Sequence, residues 1–379
     1  MIFRGQYDIL NDEVMILNRI SCVNTTYEAD SLDRAVCAHF AAMGEEELIP
    51  GKKVLIKPNL LRGASPSKGI TTNPKLVDAV VRYLHNRGVT DITLADSSGG
   101  LYTPPIMRSI YAACGMAGRG YTLNEDCSYE RVHAEGCRAF NVITPVLAAD
   151  IVINLPKLKT HSMTVMSGAI KNLFGVIPGL QKPELHCLNP DPADFAAMLV
   201  ELSRVVAPTY TIIDAVDAME GDGPAGGEIC HPGLTIASRN IYSLDRFCAE
   251  EIMKIGMEQV PMLVAASPWM EESEVVGDWT APERGFVMPK SVSVDFVSIF
   301  PKSMQEPIRN FLDRALIAQP HVKKKVCIGC GKCAESCPQH TIAIIQNKAV
   351  IDLKPCISCF CCQEMCPVKA IKTARRIKG

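Results

Sequence analysis

No apolar run in the 379 residues approaches eighteen, so the sequence offers no helix able to span a membrane. Its first residues show no basic stretch followed by an apolar one, which leaves a secretory leader without support and makes the cytoplasm the expected location. Nucleotide fingerprints are missing as well. No glycine-rich segment reads G-x-G-x-x-G before a helix or G-x4-G-K-[ST], there is no nucleophile elbow, and the loop GDGPAGG at 221–227 matches none of these patterns. A flavin, nicotinamide or P-loop nucleotide therefore has no recognisable seat. The basic runs Lys323-Lys324-Lys325 and Arg375-Arg376 lack interleaved aromatic residues, so they read as solvated or docking charge and nucleic acid is excluded as a partner.

What the chain has in quantity is cysteine: seventeen residues, eight of them in a pattern. Cys327, Cys330, Cys333 and Cys337 precede Pro338, and Cys356, Cys359, Cys362 and Cys366 precede Pro367. Both quartets read C-x2-C-x2-C-x3-C-P, and each member of the second lies 29 positions after its counterpart, an internal repeat. Three thiolates at this spacing hold three corners of an iron–sulfur cube, and the fourth, leaving beside proline, reaches the other cube. The expected sets are Cys327, Cys330, Cys333 and Cys366 for one [4Fe–4S] cluster and Cys356, Cys359, Cys362 and Cys337 for a second. Zinc also uses paired C-x2-C units, but it needs only two pairs and gives no reason for the third evenly spaced cysteine and the proline. Cys361 breaks the repeat and reads as a thiol packed against a cluster. Residues 322 to 375 resemble the bacterial two-cluster ferredoxins, a small α+β module.

Charge divides the chain. From residue 319 to the end there are eleven Lys or Arg against three Asp or Glu, +8, while the preceding residues carry 28 against 38, −10. Cubes with four thiolates are themselves anionic, so part of the excess is local compensation. The rest suits docking on the acidic body or on an acidic redox partner. Thiol-rich, cluster-bearing chains belong in a reducing compartment.

Length implies more than one domain, and the expected division is a lead-in at 1–50, an α/β body at 51–290, a linker at 291–320 and the ferredoxin-type module at 321–379. The lead-in holds one amphipathic helix over 31–43, capped by Ser31 and stopped by Gly44. Asn73 and Pro74 open a helix with apolar Leu76, Val77, Val80, Val81 and Leu84, closed by Gly88. Apolar strands at 52–61, 91–95, 149–155, 209–216 and 234–237 alternate with helices. That pattern predicts a mostly parallel sheet covered on both faces, as one body or as two α/β halves.

In such sheets ligands bind beyond the carboxyl ends of strands. The polar residues expected there are Lys57 and Asn59, then Asp96, Ser97 and Ser98, then Asn154, Lys157, Lys159 and His161, then Asp214, Asp217 and Asp222. The stretch NLPKLKTHSMTVMSGAIKNLFG gathers Lys157, Lys159, His161, Ser167, Lys171 and Asn172. A helix after His161 would place Ser167 and Lys171 on one face, where its amino end and the cations suit an anionic ligand or a metal. Gly168, Gly175 and Gly179 imply close backbone approach.

The segments VLIKPNLL, GITTNP, LADSSGG, NLPKLKTHSMTVMSGAIKNLFG and IIDAVDAMEGDGPAGG are similar to motifs of the DUF362 family, iron–sulfur proteins of archaea and mostly anaerobic bacteria, over residues 50 to 260. That resemblance implies an α/β fold and clusters rather than a particular reaction. A fainter similarity, to the lactate racemase family with its nickel-pincer nucleotide between two α/β halves, implies cofactor- or substrate-side roles for His161 and Lys171. Three functions follow as expectations. The first is an electron-transfer protein or oxidoreductase serving a small anion in the body, with a ferredoxin or oxidoreductase as partner. The others are a non-redox enzyme on a small carboxylate with structural or sensory clusters, and an assembly module without turnover.

Overall fold

The computed structural model describes residues 18–290 and 316–377. In chain order the body runs β1 (Asn18–Asn24), α1 (Ala29–Met43), β2 (Lys53–Pro58), α2 (Pro74–Asn86), β3 (Asp91–Leu94), α3 (Pro104–Ala113), β4 (Thr122–Leu123), and the hairpin β5 (Tyr129–Val132) and β6 (Phe140–Ile143). It continues with β7 (Ile151–Leu155), β8 (Lys157–His161), β9 (Val165–Ser167), β10 (Tyr210–Glu220), β11 (Glu228–Cys230), β12 (Leu234–Ser238) and β13 (Ser273–Val276). One sheet joins most of these in the order β13-β1-β12-β10-β7-β2-β3-β4. Pairings from β10 through β4 are parallel, and only β12, β11 and the β8–β9 hairpin introduce antiparallel partners.

The apolar strands demand cover on both sides, and they receive it. Every residue of β7 is buried. Helices α1, α2 and α3 pack over one face, and the helices Pro192–Val206, Ile241–Phe247 and Pro261–Ala266 over the other. Burial of each large apolar residue on α2 contributes roughly 1.5–3 kcal/mol, which explains why its apolar stripe fixes its orientation. Asn73 caps α2 as expected, accepting from the Lys75 amide, and Gly88 follows its end with φ 79°.

Several expectations are corrected. The lead-in is integral to the body: β1 pairs with β12 and β13, while residues 1–17 lie outside the described residues. Ser31 does not cap α1, which begins after Glu28; its hydroxyl accepts instead from the Thr26 amide. Asp214 and Asp217 lie within β10 rather than beyond it. Of the expected linker, 291–315 lie outside the described residues, but 316–320 belong to the module's first strand.

That module consists of β14 (Leu316–Val322) paired antiparallel with β17 (Ile371–Ile377), the hairpin β15 (Ile342–Ile345) and β16 (Lys348–Ile351), and two one-turn helices, Lys332–Glu335 and Cys361–Glu364. The 29-residue repeat is also a repeat of conformation. Left-handed backbone occurs at Gly329 and Ser358, at Gly331 and Phe360, and at His340 and Lys369. In each half the last cysteine accepts from the amide four residues on, Thr341 to Cys337 and Ala370 to Cys366.

Replacing Asn73 with alanine removes the α2 cap, and urea denaturation should register a loss of about 1 kcal/mol.

Candidate functional site

Strands β2, β3 and β7 end on one edge of the sheet, and β8 continues β7 beyond it after Pro156. Alternation along β8 then sends Lys157, Lys159 and His161 to one side, because strand residues two apart share a face. They meet Lys57 and Asn59 from the end of β2 and Asp96 and Ser97 from the end of β3. Together with Lys171 and Asn172, Lys57, Asn59, Asp96, Ser97, Lys157 and Lys159 line a single cavity of about 80 Å³. At roughly 10–15 Å³ for each water-sized site, it has room for a handful of waters or a small anion.

Each buried cation is offset differently. Lys57 Nζ donates to Asp96 at 2.8 Å and to the Pro58 carbonyl at 2.9 Å, while the other carboxylate oxygen accepts from the Leu60 amide. Lys157 lies 3.0 Å from Asp214 and donates to the Tyr27 hydroxyl at 2.7 Å; that hydroxyl donates to Asp214. Lys159 has only neutral acceptors, Asn59 Oδ1 at 2.7 Å and the Ile70 carbonyl at 2.8 Å. Burial lowers its pKa to about 7. Lys182, which sequence reasoning missed, donates to the carbonyls of Ser97, Ser98 and Ile177 and to Ser97 Oγ, and burial holds it too at about 7. Lys171 lies over the Phe174 ring. Five lysines thus face three carboxylates, counting Glu364 below, and with every lysine protonated and every carboxylate ionised the excess is two positive charges.

His161 sits behind the cavity wall. Its Nδ1 accepts from the amides of Met163 and Thr164, so the proton must reside on Nε2, which donates to Glu364 Oε1 at 2.8 Å. Burial and the nearby Lys171 lower its pKa to about 4, and the ring is neutral. Burial alone would raise the Glu364 carboxyl, but Lys171 and the His161 hydrogen bond bring it down to about 2.

Glu364 belongs to the module, as do Cys361 and Met365, and all three line the lysine cavity. Glu364 repeats the exposed Glu335 at an interval of 29, so no sequence signal distinguishes it; docking does. His186, also missed, lines the cavity and stacks on Phe195 at 4.2 Å. Further contacts tie the two parts together. Lys369 and Lys372 donate to the carbonyls of Gly227 and Gly226, and Gln363 to that of Asp222. The GDGPAGG loop therefore presents carbonyls to the module, the opposite of what a phosphate requires.

The expected helix after His161 is absent. Val165–Ser167 returns as β9, and the helix Ala169–Asn172 is a single turn whose first amides, Ala169 and Ile170, are taken by the buried Asp245 carboxylate at 2.6 and 2.9 Å. Its amino end is thus closed to an anion, and positive charge in the cavity comes from side chains. The glycines do mark close approach: a Cβ at Gly168 would fall on Asp245, and one at Gly175 on the Lys57–Asp96 pair. Asn172 is structural in its contacts, donating to Asn154 Oδ1 and accepting from Asn59.

Each expected cysteine set lines its own small cavity. Cys327, Cys330, Cys333 and Cys366 surround one, and Cys337, Cys356, Cys359 and Cys362 the other. Among the described residues no three such ligands converge on one ion-sized point. Zinc would draw four sulfurs within about 2.3 Å of a single ion, whereas a cube spreads them over separate irons, and four cysteines around each cavity suit a cube.

A domain described as a domain of unknown function, DUF362, matches residues 54–250, and a 4Fe–4S dicluster domain matches 319–367. A thylakoid-associated protein of Synechocystis sp. is 30% identical, the match covering 76% of this chain and 97% of that protein. Among solved structures, the lactate racemase apoprotein of Thermoanaerobacterium thermosaccharolyticum aligns with a TM-score of 0.36 at 13% identity, over 59% of this chain and 54% of that one. Among the described residues no helix is long and apolar enough to cross a membrane.

Gly175→Ala should disrupt the buried Lys57–Asp96 pair and lower stability by about 3–5 kcal/mol, as breaking a buried ion pair does, readable by chemical denaturation.

Proposed function

Because the chain belongs to the DUF362 family and ends in an iron–sulfur module of ferredoxin type, we propose that it is an oxidoreductase moving single electrons between a redox partner protein and a small anion held in the lysine cavity. One observation carries this reading. The helix Cys361–Glu364 contributes Cys362 to a four-cysteine cavity and Cys361 and Glu364 to the lysine cavity, so adjacent residues bound both spaces. Two [4Fe–4S] clusters, one in each cysteine set, supply the electrons. The body's residues bind and hold. Lys159 and Lys171 lack a carboxylate in direct contact and meet the ligand's charge. Lys57 and Lys157 are fixed by Asp96 and Asp214 and set the field, while Asn59 and Asn172 brace Lys159.

The non-redox alternative needs a histidine free for proton transfer. His161 spends both ring nitrogens on Glu364 and two amides, so it is not the group that reading requires; His186, whose Nδ1 has no partner, is the histidine of this cavity left for it. All seventeen cysteines are unpaired, as a reducing compartment such as the cytoplasm would keep them.

Anaerobic reconstitution should yield about eight iron and eight sulfide per chain with reducible visible absorption. Stoichiometric zinc instead would refute the redox reading. Anion binding should follow Lys159. A lysine at about 7 is charged below that pH and neutral above it, so sulfate, a dianion throughout, should bind more weakly as pH rises from about 6 to about 8. Lys182, also held at about 7, titrates in the same window, so calorimetry on Lys159→Met should show that dependence reduced and on the double variant Lys159→Met, Lys182→Met flattened.

A further inference from the structure

The module's lysines fall into two groups, those that contact the body and those left in solvent. Lys369 and Lys372 turn inward onto carbonyls of the body. Lys323, Lys324, Lys325 and Lys332 are exposed instead, flanking the loop that carries Cys327 and Cys330. Within that loop Val326 and Ile328 are 44% and 53% exposed, and at the tip of the β15–β16 hairpin Ile344 and Ile345 are 38% and 54% exposed. Loop and hairpin are one surface: Lys348 donates to the Cys327 carbonyl, and Gly329 abuts Asn347. Ile328 and Ile344 both line the first cysteine cavity.

Access follows the same polarity. Of the eight cysteines in the two sets, Cys330 is the exposed one, and it belongs to the first set. The second set faces inward, with Gln339 beside its cavity donating to Cys187 of the body and Cys361 lining the lysine cavity.

We propose that the outer face formed by loop 326–332 and hairpin tip 344–348 is the docking surface of an acidic electron-transfer protein of ferredoxin or flavodoxin type. The proposal rests on the two-cluster reading above. Charge complementarity selects the partner: between residues 318 and 350 five lysines stand against one carboxylate, Glu335. An apolar centre with a charged rim is the usual anatomy of a protein contact, and rim charge governs encounter rate and its salt dependence. Cys327, Cys330, Cys333 and Cys366 would hold the cluster that accepts the single electron given up by the partner's reduced centre, and Cys337, Cys356, Cys359 and Cys362 the one it would pass to, with no proton or bond exchanged at the contact.

The test uses the reconstituted full chain, a reduced acidic two-cluster ferredoxin as donor, and dithionite as a small reductant. The second-order rate with ferredoxin should fall as ionic strength rises from about 0.01 M, where the Debye length is about 30 Å, to about 0.15 M, where it is about 8 Å. The triple variant Lys323→Glu, Lys324→Glu, Lys325→Glu should lose about tenfold or more in that rate and weaken the ferredoxin complex measured by interferometry. Its iron content and the extent of its reduction by excess dithionite should stay unchanged. A variant with full iron whose ferredoxin rate and affinity match the parent would overturn the docking face while leaving the clusters standing. So would anionic vesicles capturing the parent but not the variant with no ferredoxin affinity in either, since the face would then be a membrane contact. Failure of the parent to take up iron strikes the two-cluster reading itself.

Discussion

Burying a lysine is costly unless its charge is met, and three wholly buried lysines stand around one cavity here, with Lys182 and Lys171 beside them. Their placement is forced by β8, whose alternation cannot turn Lys157 and Lys159 outward without turning Leu158 and Thr160 inward to the cavity. Asp96 answers Lys57, Asp214 answers Lys157, and one further positive charge is answered across the domain boundary by Glu364, which leaves two. The same carboxylate accepts the Nε2–H hydrogen bond of His161. Docking of the module and formation of the cavity are therefore one event: with the module lifted away, His161 would lose its acceptor and the lysines would face open water.

How much of this was legible in the sequence depended on whether the signal was local. The cysteine sets, the α2 cap and the parallel strands were readable because each follows from spacing within one segment. The cluster of Lys57, Asp96, Lys157 and Lys159 was readable too, since ligands collect at the carboxyl ends of such strands whatever the sequence between them. What failed was the segment after His161. Its helical reading rested on Ser167 and Lys171 at a four-residue interval, whereas K-L-K-T-H alternates with period two, and the hairpin to β9 extends that alternation. The helix amino end then proved to be occupied by Asp245, a residue 76 positions from Ala169, which no local pattern announces. Lys182 was missed for the same reason, its four acceptors lying in a distant turn and a preceding loop.

The glycine loop 221–227 illustrates how a motif's absence can carry meaning. Phosphate loops work by pointing amides at an anion. This one points carbonyls at Lys369, Lys372 and Gln363, while its glycines serve the packing of the loop on its own strand, since a Cβ at Gly226 or Gly227 would meet the backbone of Asp222 or Glu220. The charge asymmetry of the chain is resolved similarly. The acidic body does not receive the basic module through carboxylates at these contacts; it offers backbone dipoles, and the acid at the buried junction comes from the module.

The internal repeat shows most directly how one scaffold was given two environments. Both halves keep the left-handed positions, the one-turn helix and the amide-to-sulfur hydrogen bond, so the cysteine geometry is the same in each. The residues between the cysteines differ by face. Lys332, Ala334 and Ser336 of the outer half correspond to Cys361, Gln363 and Met365 of the inner half, which line the lysine cavity or hydrogen-bond the body. Glu335 and Glu364 are the same residue in the same helix position, one in solvent and one held by His161. A glutamate in solvent is indifferent to its neighbours, whereas a glutamate enclosed by Lys171 and His161 fixes a negative charge between the inner cysteine set and the cavity. Symmetry of ligands with asymmetry of surroundings is what would make two otherwise equal clusters unequal, because second-shell charge and burial set a cluster's potential.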